Sequence, residues 1–210
     1  MNLKKIALLG ALAALGAAAS PAMAQSYALN TGTPTVTTGD PILSNNDWFA
    51  EEFNLTAGEA IDSLSAYLNL DTGNSGGTLT FALYSGTTLG RNPTAVETWT
   101  TTYSAPGWTS YGASYTSTNG GTYWLAIEDT SSGQTYTLPT IANTSAEPVG
   151  AAGYAYTTSG TGSKQWTVAS TYPVGMQVQV VPEPETYGLV AVGLLGVVVR
   201  VRMQRRREAS

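Results

Sequence analysis

Four stretches of the chain alternate apolar and polar residues with a period of two. Leu64, Ala66, Leu68 and Leu70 alternate with Ser65, Tyr67 and Asn69, and Leu79, Phe81 and Leu83 alternate with Thr80, Ala82 and Tyr84. Further along, Tyr123, Leu125 and Ile127 alternate with Trp124, Ala126 and Glu128, and Val174, Met176, Val178 and Val180 with Gly175, Gln177 and Gln179. Successive side chains of a strand point to opposite faces, so each stretch predicts a half-buried β-strand. Weaker patterns predict further strands near residues 48–55, 96–103, 135–139, 153–157 and 165–169. Segments rich in Gly, Asn, Ser and Pro at 71–77, 90–93, 119–121 and 159–162 break the runs into separate strands. About eight to ten short strands with no helical period between them predict an all-β domain, a two-sheet antiparallel sandwich of jelly-roll type. No internal repeat of about 20–50 residues is visible, which argues against a solenoid or propeller.

The two ends follow a different pattern. Lys4 and Lys5 precede an unbroken apolar and small-residue run from Ile6 to Ala19, and Ala22, Met23 and Ala24 give a small-x-small cleavage pattern before Gln25. This predicts a secretory signal peptide over 1–24, cut between Ala24 and Gln25. A membrane anchor or an amphipathic helix fits less well, because the run is short, rich in Ala and Gly, and has no polar face. At the other end Pro182, Glu183 and Pro184 are followed by thirteen uncharged residues, 187–199, and then by Arg200, Arg202, Arg205, Arg206 and Arg207. Thirteen helical residues reach about 20 Å, short of a hydrocarbon core of about 30 Å. The helix becomes long enough to span if Val201 and Met203 join it while Arg200 and Arg202 snorkel to the headgroups. The arginines then place the C-terminus in the cytoplasm and the body of the protein outside. A buried terminal helix with a solvated Arg cluster fits less well, because five Arg in eight positions suit neither a strand nor a core helix.

Pro-Glu-Pro at 182–184, an apolar helix and an Arg-rich end, in that order over 181–207, resemble the PEP-CTERM sorting signal of Gram-negative bacteria. The resemblance implies recognition by an exosortase, a membrane transpeptidase-like enzyme, with processing near Pro182, Glu183 and Pro184 and delivery to the cell surface or the exopolysaccharide matrix. These three residues are then substrate residues, not catalytic ones. Sec machinery and signal peptidase are the other implied partners. A sortase signal would need Leu-Pro-x-Thr-Gly just before the helix, whereas Leu138-Pro139 continues as Thr140-Ile141-Ala142 and lies too far upstream.

Composition narrows the chemistry open to the body of the chain, residues 25–180. The 210 residues contain no Cys and no His. Thiol nucleophiles, Ser-His-Asp triads, zinc fingers and most transition-metal sites are thereby excluded. Between 25 and 181 stand 30 Thr and 16 Ser, a composition that favours strands and turns over helix. Arg91 and Lys164 are the only cations there against eleven carboxylates, so the net charge of −5 averages basic ends with a strongly acidic domain. An exported acidic domain has no use for the Arg tail as a nucleic-acid site.

Three strand-like segments, 61–70, 77–84 and 121–128, also resemble the choice-of-anchor R class of bacterial surface domains, and Trp166 and the closing strand from Val174 agree with it. The likeness spans residues 40–181. That class occurs on different C-terminal anchors and brings no established active site.

Three kinds of site remain. Carboxylates are the acid/base groups left besides Tyr and Lys, so glycoside hydrolysis is the enzyme class to test, and it needs two facing acids. Glu51-Glu52 and Glu128-Asp129 are adjacent pairs whose members point to opposite faces of a strand, so neither is a ready-made dyad. Ca²⁺ suits oxygen ligands better than a transition metal would, with Asp40, Asp47, Glu128 and Asp129 as diffuse candidates. Segment 71–77 superficially resembles the start of an EF-hand loop but lacks the later acids and the flanking helices. Among the five Trp, Trp108 in a turn region and Trp124, opposite in phase to Tyr123 and Leu125, are the residues expected off the core and available to stack on sugars. The alternative is that they fill the core. The expectation is therefore a non-enzymatic surface or matrix protein, adhesive or associated with exopolysaccharide and biofilm, with no catalytic residue and no cofactor. The alternatives are a carbohydrate-binding module on the same anchor and, behind it, a carboxylate hydrolase.

Overall fold

The computed structural model describes residues 26–34, 40–70, 77–130, 135–138, 153–160, 162–169 and 174–181. Signal peptide, cleavage residues Ala24 and Gln25, sorting residues Pro182, Glu183 and Pro184, the C-terminal helix and the five arginines all lie outside them.

The described residues form twelve strands and no helix: β1 (Ser26–Asn30), β2 (Ile42–Leu43), β3 (Trp48–Leu55), β4 (Ala60–Leu70), β5 (Thr78–Ser85), β6 (Glu97–Thr102), β7 (Gly107–Thr116), β8 (Gly121–Asp129), β9 (Tyr136–Thr137), β10 (Gly153–Thr157), β11 (Thr167–Ala169) and β12 (Met176–Val181). In the first sheet β4 is flanked by β7 and β12, with β1 beyond β12; the short β9 and β2 extend its far end. The second sheet runs β11-β10-β3-β8-β5-β6. All described pairings are antiparallel. The orders β1-β12-β4-β7 and β3-β8-β5-β6 are those of a jelly roll, as expected, with β10 and β11 added at one edge.

The core lies between the sheets. Leu29, Ile61, Leu64, Leu68, Met176, Val178 and Val180 of the first sheet face Phe49, Phe53, Leu79, Phe81, Leu83, Leu125 and Ile127 of the second, all buried. Within each strand these positions alternate, save where the bulge at 61–63 of β4 sets Ile61 three before Leu64, so the period-two pattern is the imprint of this interface.

Two features depart from the sequence reading. Strands β1 and β7 carry no strong apolar alternation: inward-facing positions of β7 hold Thr109 and Tyr111 where a stronger signal would have Leu or Val. Trp108, expected in a turn, therefore lies in strand β7. The second departure is that the outer face of the second sheet is not solvent-facing. Ala155, Ala50, Ala126 and Ala82 stand side by side across β10, β3, β8 and β5, all fully buried. This shallow row of small residues leaves space for covering residues from 86–96 and from 158–160 and 162–166. They are tied together by the Arg91–Gln165 bridge and by Asn92 N donating to Lys164 O at 2.6 Å.

Candidate functional site

The covering segments close over an ionic cluster. Glu128, on the outward side of β8, is buried, and the Tyr84 hydroxyl donates to its Oε1. Lys164 Nζ donates to Glu128 Oε1 and Oε2 at 3.2 and 3.1 Å and to the Tyr84 oxygen at 3.1 Å. The same ammonium sits 4.6 Å from the centroid of the Trp48 ring, a cation–π contact. Trp48 donates its Nε1 to Asp129 O at 3.0 Å, and Trp166 packs edge-on against Tyr84 with centroids 6.1 Å apart. Gly160 lies against Trp48 so closely that a Cβ there would overlap the ring. Burial first, then the Glu128 charge and hydrogen bond, push the Tyr84 phenol far above its ordinary range. A tyrosine held protonated, a paired carboxylate and an engaged ammonium leave no free base or nucleophile here. The cluster fastens the cover to the sheet.

The other acids are dispersed. Glu51 points into the core and accepts from Val174 N at 2.7 Å, joining the second sheet to the start of β12. Burial raises its pKa well above the usual carboxylate range, and the Val174 hydrogen bond offsets part of that rise. Glu52, its neighbour, lies on the opposite face, as does Glu128 relative to Asp129. Asp47 caps a local turn by accepting from Ser44 Oγ at 2.7 Å, and Asp40 is buried. Among the described residues no three acids gather where they could hold a metal ion.

Trp124 needs correction. It does lie on the face opposite Leu125, but that face is covered, and the ring is fully buried with Nε1 donating to Gly86 O at 3.0 Å. It cannot stack on a sugar. The signal was in β8 itself: Tyr123–Ile127 is an apolar run on both faces, the mark of a strand buried twice.

Trp108 is different. Its edge meets the Tyr67 ring at 89° with centroids 5.4 Å apart, and both are half-buried on the outer face of the first sheet. Among the described residues the side chains of that face are half-buried or exposed, apart from the buried Ser65. Ser63 Oγ donates to Gln179 Oε1 at 3.0 Å, Ser65 and Ser110 share a 2.8 Å hydrogen bond, and Gln177 Nε2 donates to Asn30 Oδ1 at 3.1 Å. Hydroxyls and amides paired in rows, ending at Tyr67 and Trp108, make up this face, with the exposed carboxylate of Asp62 beside Ser63 toward its other end. Its place next to Pro106-Gly107 flagged Trp108; the surrounding face needed the strand pairing to become visible.

Immediately after β12 the linear signal takes over. Residues 180–206 match the PEP-CTERM protein-sorting motif, beginning on the last two residues of the strand. The chain carries a PEP-CTERM sorting signal. It marks an exported protein, held in the membrane as a precursor and processed by an exosortase for the surface. No curated protein and no solved structure matches the chain. The match covers the PEP-CTERM end alone, and the likeness of residues 40–181 to the choice-of-anchor R class finds no such support.

Proposed function

We propose that this PEP-CTERM protein is a non-enzymatic surface or matrix protein, whose jelly-roll domain serves adhesion or the structure of an exopolysaccharide layer. The observation that carries the reading is the sorting motif running on directly from β12, a central strand of the folded domain. Exported by a signal peptide cut between Ala24 and Gln25, the chain is held by its C-terminal helix until an exosortase acts near Pro182, Glu183 and Pro184. The domain then remains at the surface or in the matrix. Its chemistry favours a passive role: the Glu128–Lys164 pair is self-satisfied, and no three of the described acids gather where they could hold a metal ion.

Replacing Pro182, Glu183 and Pro184 together with alanine tests the sorting step. Cell fractionation and mass spectrometry of both ends should find an uncleaved membrane form in place of the processed one. Normal processing of the triple variant would refute the reading. For the matrix role, deletion of the gene should leave a surface layer that sheds polysaccharide or weakens cell attachment; an unaltered layer would count against it.

A further inference from the structure

The geometry points to the outer face of the first sheet as a binding site for a neutral polysaccharide, with Tyr67 and Trp108 as its aromatic platform. Three observations converge on that occupant. First, the rows facing outward along β12, β4 and β7 present Gln177, Gln179, Ser63 and Ser110, all neutral and half-buried or exposed. Amides and hydroxyls both donate and accept, which matches sugar hydroxyls that do the same. Second, Tyr67 and Trp108 are held at a right angle, and Gly175 lets the Tyr67 stem and Pro34 seat closely beside it. A Cβ at Gly175 would collide with the Tyr67 Cβ and with Pro34, so its absence lets both settle against β12. An aromatic corner of this kind presents an apolar ring to the C–H face of a sugar while neighbouring polar groups meet its hydroxyls.

Third, charge selects the polymer. The domain has eleven carboxylates against Arg91 and Lys164, and Lys164 is engaged with Glu128. An anionic polysaccharide would meet repulsion and no cation on this face. A protein partner would be expected to meet one clustered apolar anchor, whereas of the exposed large hydrophobics Val96 and Val168 belong to the second sheet's side and Ile42 and Val181 stand at opposite ends of this face. A neutral, hydroxyl-rich chain is the occupant whose chemistry fits. The inference deepens the matrix reading by naming what the displayed domain holds, and the binding itself does not depend on processing.

Affinity electrophoresis of the purified full chain tests it, in a zwitterionic detergent without a sugar headgroup. The probes are soluble β-glucan, dextran and galactomannan, with alginate as the anionic comparison. At least one neutral polymer should retard the protein and alginate should not. Trp108→Ala should weaken retardation about tenfold, equivalent to about 1.4 kcal/mol, and Trp108→Phe should keep most of it. If Trp108→Ala does not fold, Ser110→Asp, at an exposed position, should give the loss instead. Absence of retardation by all three neutral polymers overturns the proposal, as does alginate binding as tightly or a folded Trp108→Ala binding unchanged. Because the chain is assayed after purification, such a failure is distinct from a failure of sorting, which the triple-alanine variant reads in cells.

Discussion

Ser26 pairs with Val180 across the ladder of β1 and β12. The first described residue of the domain and the strand that runs into the sorting signal therefore leave the fold side by side. Val181 pairs with Ala60, which on its other side faces Thr116, so the start of β4 and the end of β7 lie at this same end. The turns beyond them are bonded to each other, with Gly58 N donating to Ser117 O at 2.7 Å and Ser117 N to Glu59 O at 2.9 Å. Tyr67 and Trp108 sit seven or eight positions further along their strands, about 25 Å away at about 3.4 Å per residue. A domain tethered through Val181 thus holds its aromatic corner at the end away from the tether.

That geometry predicts an orientation on the membrane. The chain has no Cys, so single cysteines are clean probes. In the uncleaved triple-alanine precursor, a fluorophore at Thr118→Cys should be quenched strongly by a lipid-borne quencher. One at Ser104→Cys, just before Gly107 at the opposite end of the first sheet, should be quenched weakly. Both positions are exposed. Equal quenching would mean that the domain lies flat or tumbles on its tether.

The ion pair under the cover should respond asymmetrically to mutation. The Glu128 side chain is 4% exposed and that of Lys164 is 30%. Removing the ammonium leaves a carboxylate shut away from water, whereas removing the carboxylate leaves an ammonium that can still reach it. Lys164→Met should therefore cost about 3–5 kcal/mol, and Glu128→Gln, which keeps an acceptor for Tyr84, about 1–2 kcal/mol. Urea unfolding at neutral pH measures both. A Lys164→Met loss no larger than that of Glu128→Gln would show that the buried charge is relieved some other way.

What the sequence revealed and what it hid divide along a physical line. Alternation at Leu64–Leu68 and at Leu79–Leu83 reports one buried face, and those strands were legible. So was the sorting signal, because its parts are contiguous and need no fold to be recognised. The cover over the second sheet was not legible, since it depends on Glu128 meeting Tyr84 and Lys164, which are 44 and 36 residues away. The alanines at 50, 82, 126 and 155 look unremarkable until register aligns them into one row. Trp124 was misplaced for the same reason: phase tells which face a side chain is on, and tertiary packing decides whether that face is wet.

Gly160 gives a local test of how tightly the cover is seated. An alanine there would overlap Trp48, which is pinned by its bond to Asp129 O and by Lys164 above its ring. Neither partner can move without loss, so Gly160→Ala should destabilise the domain by about 1–3 kcal/mol. Gly90→Ala, in the other covering segment, meets nothing within 4 Å and should be nearly neutral. Thermal melts of the two variants separate a close-fitting cover from a loose one, in which both would behave alike.

Glu51 makes stability depend on pH in a direction opposite to that of most carboxylates. Burial raises its folded pKa well above the ordinary carboxylate range, and the hydrogen bond from Val174 N only partly offsets this. The folded state therefore keeps a proton that the unfolded chain releases as pH rises through the ordinary carboxylate range. The stability this group allows is fully present below the unfolded pKa. It declines by about 1.4 kcal/mol per pH unit until the folded pKa is reached, and is level above it. Glu51→Gln keeps an acceptor for Val174 N but has no proton to lose. The variant should match the parent near pH 4, exceed it in urea resistance at pH 7, and lack this share of the decline between. An unchanged difference between variant and parent across that range would mean that Glu51 does not titrate as its burial requires.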